Sequence, residues 1–219
     1  MIEILVTLVI LMIGLLGIAG LMAQGQRASF EAYQRQQALM LANDMAERIK
    51  ANRAGVDATE VATTYVAAVP LGTPAGTGTR FDDLRAGTTT NCALSSVTCT
   101  TSQAVTYDAA LWDGLLAGGA AETERATGDA LGPLLSPRGC IQTLATTACP
   151  ACGGPPASRQ ITSRVSVAWQ GNYSTAAPDA ANTCGAGTYR NPADGSVDEN
   201  FRRLVSVDVY TVIPCACPP

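Results

Sequence analysis

The sequence predicts an α+β fold: a long N-terminal α-helix set against a small antiparallel β-sheet whose loops are pinned by disulfides. Three observations carry that expectation. Residues 1–23 are apolar apart from Glu3 and Thr7, and no Pro interrupts the chain from there to Arg53. Two later segments, Arg164–Trp169 and Leu204–Ile213, alternate with period two and are rich in Val. Eight Cys follow the apolar run, a number that suits an oxidising compartment rather than a reduced cytosol.

The first stretch, Met1–Ala23, supplies about 20 apolar residues, enough at ~1.5 Å of rise each to cross the ~30 Å hydrocarbon core of a bilayer. A cleaved secretory signal fits it poorly. It has no positively charged start, its apolar run is too long, and Leu21-Met22-Ala23 puts a large residue where a small one is wanted. Residues 24–55 continue the helix as an amphipathic half, with Phe30, Tyr33, Leu41, Met45 and Ile49 at roughly helical spacing on the apolar side. Arg48, Lys50 and Arg53 suit a helix C-terminus, and Gly55 suits a C-cap. The two halves together predict one helix of about 50 residues, roughly 80 Å long.

Within it, Asp44, Glu47, Arg48 and Lys50 read as a solvated face, where the Glu47–Lys50 pair is worth a few tenths of a kcal/mol. Glycine costs up to ~1 kcal/mol relative to Ala inside a helix, so Gly14, Gly17 and Gly20 need a reason. Close approach to another helix supplies one. Glu3 is the sharpest single residue. A carboxylate costs ~2.5–3.5 kcal/mol at the bilayer centre and less near an end, where the helix dipole favours it.

Val56–Thr106 is a Thr-, Ala- and Gly-rich connection in which Glu60–Val69 forms a short helix or strand. Cys92 and Cys99 enclose a short loop and are candidates to pair with each other. From Thr106 to Ala117 the sequence predicts a short amphipathic helix capped near Thr106 or Asp108, with Tyr107, Ala110, Leu111, Leu115 and Leu116 on one side and Trp112 as a packing residue. Cys140, Cys149 and Cys152 fall in a Pro/Gly-rich stretch. Cys149-Pro150-Ala151-Cys152 has the spacing of a redox motif, and with Cys215 and Cys217 it could form a four-Cys zinc site. Structural disulfides are the expectation. The loop 171–200 holds Cys184 and an acidic run whose spacing is not that of a calcium loop, so a solvated turn is expected. Cys215 and Cys217 stand too close to pair together, which leaves Cys140, Cys149, Cys152 and Cys184 as their candidates.

Composition excludes much chemistry. The chain has no His and a single Lys, Lys50, which removes Ser-His-Asp and Cys-His catalysis, P-loops, Schiff-base lysines and His-ligated metals. Net charge is −4 and the Arg are scattered, so no basic stripe serves a nucleic acid. The expectation is a protein that is not an enzyme, with no catalytic residues, no cofactor, no metal and no small-molecule substrate.

The segments Ile2-Glu3-Ile4-Leu5-Val6, Ile13-Gly14-Leu15-Leu16-Gly17, Ala32-Tyr33-Gln34-Arg35 and Asp44–Gly55 resemble the N-terminal spine of type IV pilins and type II secretion pseudopilins, and most of all the PilV-type minor pilins. The likeness is close to residue 55 and looser beyond. It implies a pilin-like fold: 1–23 as the transmembrane and assembly half of the spine, 24–55 as its amphipathic half, and 56–219 as a globular head in the periplasm or outside the cell. It also implies that Glu3 pairs with the N-terminal amine of a neighbouring subunit, and that Gly14, Gly17 and Gly20 lie where spines bundle. The implied partners are other minor pilins and the major pilin, the inner membrane before assembly, and an adhesin at the pilus tip. Roles in priming assembly, adhesion and twitching motility follow at the same level. In the family a basic leader ending in Gly precedes Phe-Thr-Leu-x-Glu. Met1 stands at that Leu, so the leader is expected upstream. The alternatives are a minor pseudopilin, an anchored periplasmic binding module, and a zinc or redox enzyme.

Overall fold

The computed structural model of the chain describes residues 2–52, 58–118, 134–147 and 158–214, without the side chains of 58–62, 213 and 214. Helix α1 runs unbroken over Ile2–Ala51, with an acid in its first turn and Arg48 and Lys50 in its last, the polarity a helix dipole favours. It therefore passes Gly14, Gly17 and Gly20 without interruption. The expected cap, Gly55, lies outside the described residues. The chain divides into two compact units, 1–36 and 37–219.

The second unit is an α+β layer structure around one core. Its part of α1 contributes Ala38, Ala42, Met45, Ala46 and Ile49, all buried and spaced three or four apart as one helix face requires. This corrects the expected apolar side. Phe30 and Tyr33 are about half exposed (47% and 51%), and Leu41 is only partly buried. The face that enters the core is mostly alanine, because small side chains let a helix backbone approach its neighbours closely.

Helix α2 (Ala58–Ala68) settles the helix-or-strand choice for that segment, and Tyr65 and Val69 enter the core from it and its exit. Helix α3 (Thr79–Arg85) was not expected. Helix α4 (Thr101–Ala117) begins five residues earlier than its apolar pattern suggests, because Thr100 and Gln103 form a reciprocal capping box that satisfies two orphan N–H groups at once. Thr106 and Asp108 are thus interior residues. The buried face is Val105, Ala109, Trp112 and Leu116, with Trp112 wholly buried as a packing residue.

Among the described residues the sheet has three antiparallel strands in the order β1-β2-β3: β1 Arg138–Thr146, β2 Ser158–Gln170 and β3 Arg202–Pro214. The two valine-rich segments are neighbours and antiparallel, as their alternation predicts, with Val165 opposite Val207 and Val167 opposite Val205. Ile141, Val165, Val167, Trp169, Val205 and Val209 form the sheet's share of the core. Strand β1 was not foreseen. It contains Cys140 and pairs with β2 from Arg138 opposite Ala168 to Thr146 opposite Ile161, with an irregularity between Thr143 and Ala145.

The opposite face of the sheet is covered in part by the connection 171–201. Disulfide Cys140–Cys184 ties that connection to β1. Asn182 donates to the hydroxyls of Ser166 (2.8 Å) and Ser206 (3.2 Å). Arg202, buried, donates to the carbonyls of Asn182 and Cys184 and to Glu199. Tyr189 and Phe201 pack on Ala168 and Leu204.

Candidate functional site

The least ordinary surface belongs to the first unit. Among residues 2–23 every side chain is exposed, and the large apolar ones include Leu16 at 73% and Leu21 at 71%. Soluble monomers rarely leave so long an apolar surface to water. By length and composition α1 is one helix long and apolar enough to cross a membrane. Its polar content is handled locally. The Thr7 hydroxyl donates to the Ile4 carbonyl at 2.9 Å, so it needs no partner outside the helix. Glu3 sits in the first turn, the end at which the dipole stabilises an anion.

Gly14, Gly17 and Gly20 have open space where a Cβ would stand, with nothing within 4 Å beyond the adjoining residues and the helix's own backbone. The chain's own fold does not require glycine at these positions. Three-residue spacing turns the stripe by about 60° per step around a helix of 3.6 residues per turn, so it winds rather than runs straight.

In the second unit the spine is locked by polar bonds that sequence reasoning read only as a solvated face. Arg48 bonds Asp44 at 2.8 Å and reaches Asp108 of α4 at 3.1 Å. The Tyr65 hydroxyl donates to the same Asp108 at 2.5 Å and accepts from Asn52 at 3.0 Å. Burial first, and the Asp108 acceptor second, push the Tyr65 hydroxyl well above its ordinary pKa, so it remains a donor. The Trp112 indole N–H donates to the Leu41 carbonyl at 2.8 Å. Glu47–Lys50 is the exposed pair expected, at 2.8 Å. A single residue could not have announced this network; the signal in the sequence was an Asp at mid-helix in α4.

Cys92 pairs with Cys99 as their spacing suggested. Cys140 and Cys184 pair with each other, so neither is available to Cys215 or Cys217, against the expectation that offered them. Cys149, Cys152, Cys215 and Cys217 lie outside the described residues. Among the described residues no group of three or more Cys, Asp or Glu is placed to hold a metal ion. The acidic run after Asn191 is a turn: Asp194 accepts from the Ser196 N–H (2.9 Å) and hydroxyl (2.7 Å), and the hydroxyl bond holds its carboxyl below the usual range. A small depression of about 160 Å³ is lined by Arg80, Asp83 and Thr106, but the Arg80 guanidinium is spent on the carbonyls of Ala68, Thr73 and Pro74.

No protein-family model, no curated protein and no solved structure matches the chain.

Proposed function

We propose that the chain is a minor pilin of a type IV pilus, a structural subunit that waits in the bacterial inner membrane and then enters a filament. One observation carries the reading. A single unbroken α-helix of 50 residues exposes apolar side chains with one carboxylate over its first part, and over its last fourteen residues buries a row of small side chains in an α+β head. Such a helix suits transfer from lipid to a bundle of similar helices, since its apolar surface stays out of water throughout. Glu3 is the one group with something to gain. In lipid it has only the helix dipole, whereas among neighbouring helices a terminal amine offers a charge partner. The resemblance of the spine to PilV-type minor pilins supports a place in a priming complex and at the pilus tip, with adhesion and twitching motility as the dependent behaviours. Two disulfides in the head are consistent with an oxidising compartment.

The test is a chromosomal exchange of Glu3→Ala in the full chain. The variant should still reach the inner membrane, because it is more apolar than the parent, yet be absent from sheared surface filaments. Pilus number and twitching should fall with it. A Glu3→Ala chain found in filaments at the parental level would refute the assignment. Loss of protein secretion with normal pili would instead point to a type II pseudopilin.

A further inference from the structure

The sheet has two outer edges, and the described residues treat them differently. On β1 the edge is closed: Gly139 exchanges both main-chain bonds with Ala75 (2.8 and 2.9 Å), and the Ile141 N–H donates to the Val69 carbonyl at 2.8 Å. These bonds also fix the direction of every peptide in the sheet. In an antiparallel ladder, alternate residues turn their N–H and C=O to opposite sides. Gly139 and Ile141 face outward, so Cys140 faces β2, and Ser166 opposite it faces back. Val165 and Val167 therefore face β3 and bond their partners Val207 and Val205. It follows that Leu204, Ser206, Asp208, Tyr210 and Val212 turn their N–H and C=O away from β2, toward the outer edge of β3. Among the described residues none of these groups has a main-chain partner.

The register of β3 on β2 is continuous over thirteen pairs, with no bulge to twist the edge away. No Pro or Lys interrupts residues 202–213, and Asp208, the one acid there, is occupied by both guanidinium bonds of Arg164 (2.7 and 2.9 Å). Between Leu204 and Val212, among the described residues, the usual protections of an edge are therefore missing. The side chains of the outward-turned residues add a second layer: Tyr210 (59% exposed) and Val212 (51%) stand next to each other on the outer face of the sheet, and Leu204 is partly buried on the same face.

We propose that the outer edge of β3 is a binding site for an extended segment of another polypeptide, which pairs as a fourth strand. The ligand's main chain meets the outward N–H and C=O groups, and apolar side chains at alternate positions cover Tyr210 and Val212. The outward N–H and C=O groups recur at every second residue, a repeat that another extended main chain matches, and pairing between two copies of this chain is told apart by its dependence on protein concentration.

The test uses the full chain in detergent and a synthetic peptide of about nine alternating Thr and Val residues, acetylated and amidated, long enough for the outward residues at ~3.4 Å each. Amide exchange is read residue by residue. The peptide should slow exchange at 204, 206, 208, 210 and 212 by about tenfold or more, with little change at 205, 207 and 209, which are already bonded. The same peptide N-methylated at alternate residues should have no effect. Tyr210→Pro removes an outward N–H that β2 does not use at a side chain exposed to solvent, and it should abolish the peptide's effect while 205, 207 and 209 keep their protection. Four results overturn the proposal: no slowing at millimolar peptide, equal slowing by the methylated peptide, even-numbered amides as protected as odd ones before peptide is added, or protection that grows with protein concentration alone. The third would mean that the chain covers its own edge, the fourth that a second copy does.

Discussion

A buried carboxylate has to find donors, and Asp113 finds four. Its Oδ1 accepts from the N–H groups of Gly76 and Thr77 at 2.5 and 3.1 Å, and its Oδ2 from those of Arg80 and Phe81 at 2.9 and 3.3 Å. One side chain of α4 thus caps the start of α3 and fixes the turn before it. Removing it strands several donors in a buried site. Asp113→Ala should cost about 3 kcal/mol, which lowers the melting temperature by ~6–12 °C in a domain of this size; a shift of a degree or less would contradict the account. At Gly139 the reason for glycine is space, since a Cβ would overlap the Trp112 ring and the Leu116 methyl. Gly139→Ala should destabilise by about 1–3 kcal/mol, and the same melt would read it.

Arg164 and Asp208 make a third, pH-dependent case. The hydrogen bonds from Arg164 hold the Asp208 carboxyl below its ordinary pKa. A depressed folded-state value means the pair stabilises the fold above the unfolded carboxylate's pKa and loses that contribution as pH falls through the folded value. The side chains are roughly a third exposed, so solvent screening limits the gain to about 1 kcal/mol or less. Asp208→Asn should therefore narrow the gap between parent and variant stability as the pH drops below about 4. A gap that widens on acidification would reverse the sign and refute it.

At the scale of elements, legibility followed the strength of the periodic signal. Strands β2 and β3 were readable because Val165, Val167, Val205, Val207 and Val209 alternate with polar residues, and a period of two has no helical reading. Strand β1 gave no such signal. Its inward residues are Gly139 and Ile141, and Leu144 is 40% exposed; its strand state comes from pairing with β2 and with Ala75, which no local pattern encodes. In α1 the helix was plain, but the buried row was misread because Phe30 and Tyr33 carry more apolar area than Ala38, Ala42 and Ala46. Burial there is decided by how near two backbones can come. Helix α4 was seen late because its start is written in Thr100 and Gln103, which are polar. The apolar half of α1 was legible in full, and so was its testable feature. Gly17 has open space around it, so Gly17→Leu should leave head stability unchanged, within about 0.5 kcal/mol. If neighbouring spines use that space, the same variant should be excluded from filaments. A Gly17→Leu chain that assembles at the parental level would show that the glycine serves no helix partner.

At the scale of the whole molecule, covalent ties offset what a thin core lacks. The core of the second unit rests heavily on Ala and Val, residues that bring little area each, and long connections must still be held down. Disulfides do this by restricting the unfolded chain, more strongly the longer the loop they close. Cys140 and Cys184 are 44 residues apart, Cys92 and Cys99 only 7. The chain-entropy relation gives about 4 kcal/mol for the first and about 2.4 kcal/mol for the second. The first also does a second job, since the loop it fixes carries Asn182 to the Ser166–Ser206 pair and sets the carbonyls that Arg202 needs. Opening it should release Arg202 as a buried cation with two acceptors lost, whereas opening the second frees an exposed loop. Replacing Cys140 and Cys184 together by Ser should thus lower the unfolding free energy by several kcal/mol, and replacing Cys92 and Cys99 by roughly half as much. Denaturant melts of the two double variants, run at equal temperature and pH, decide the order. If the 92–99 variant proved the weaker fold, loop length would not be what sets the contribution, and the clamping role of the Cys140–Cys184 bridge would fall with it.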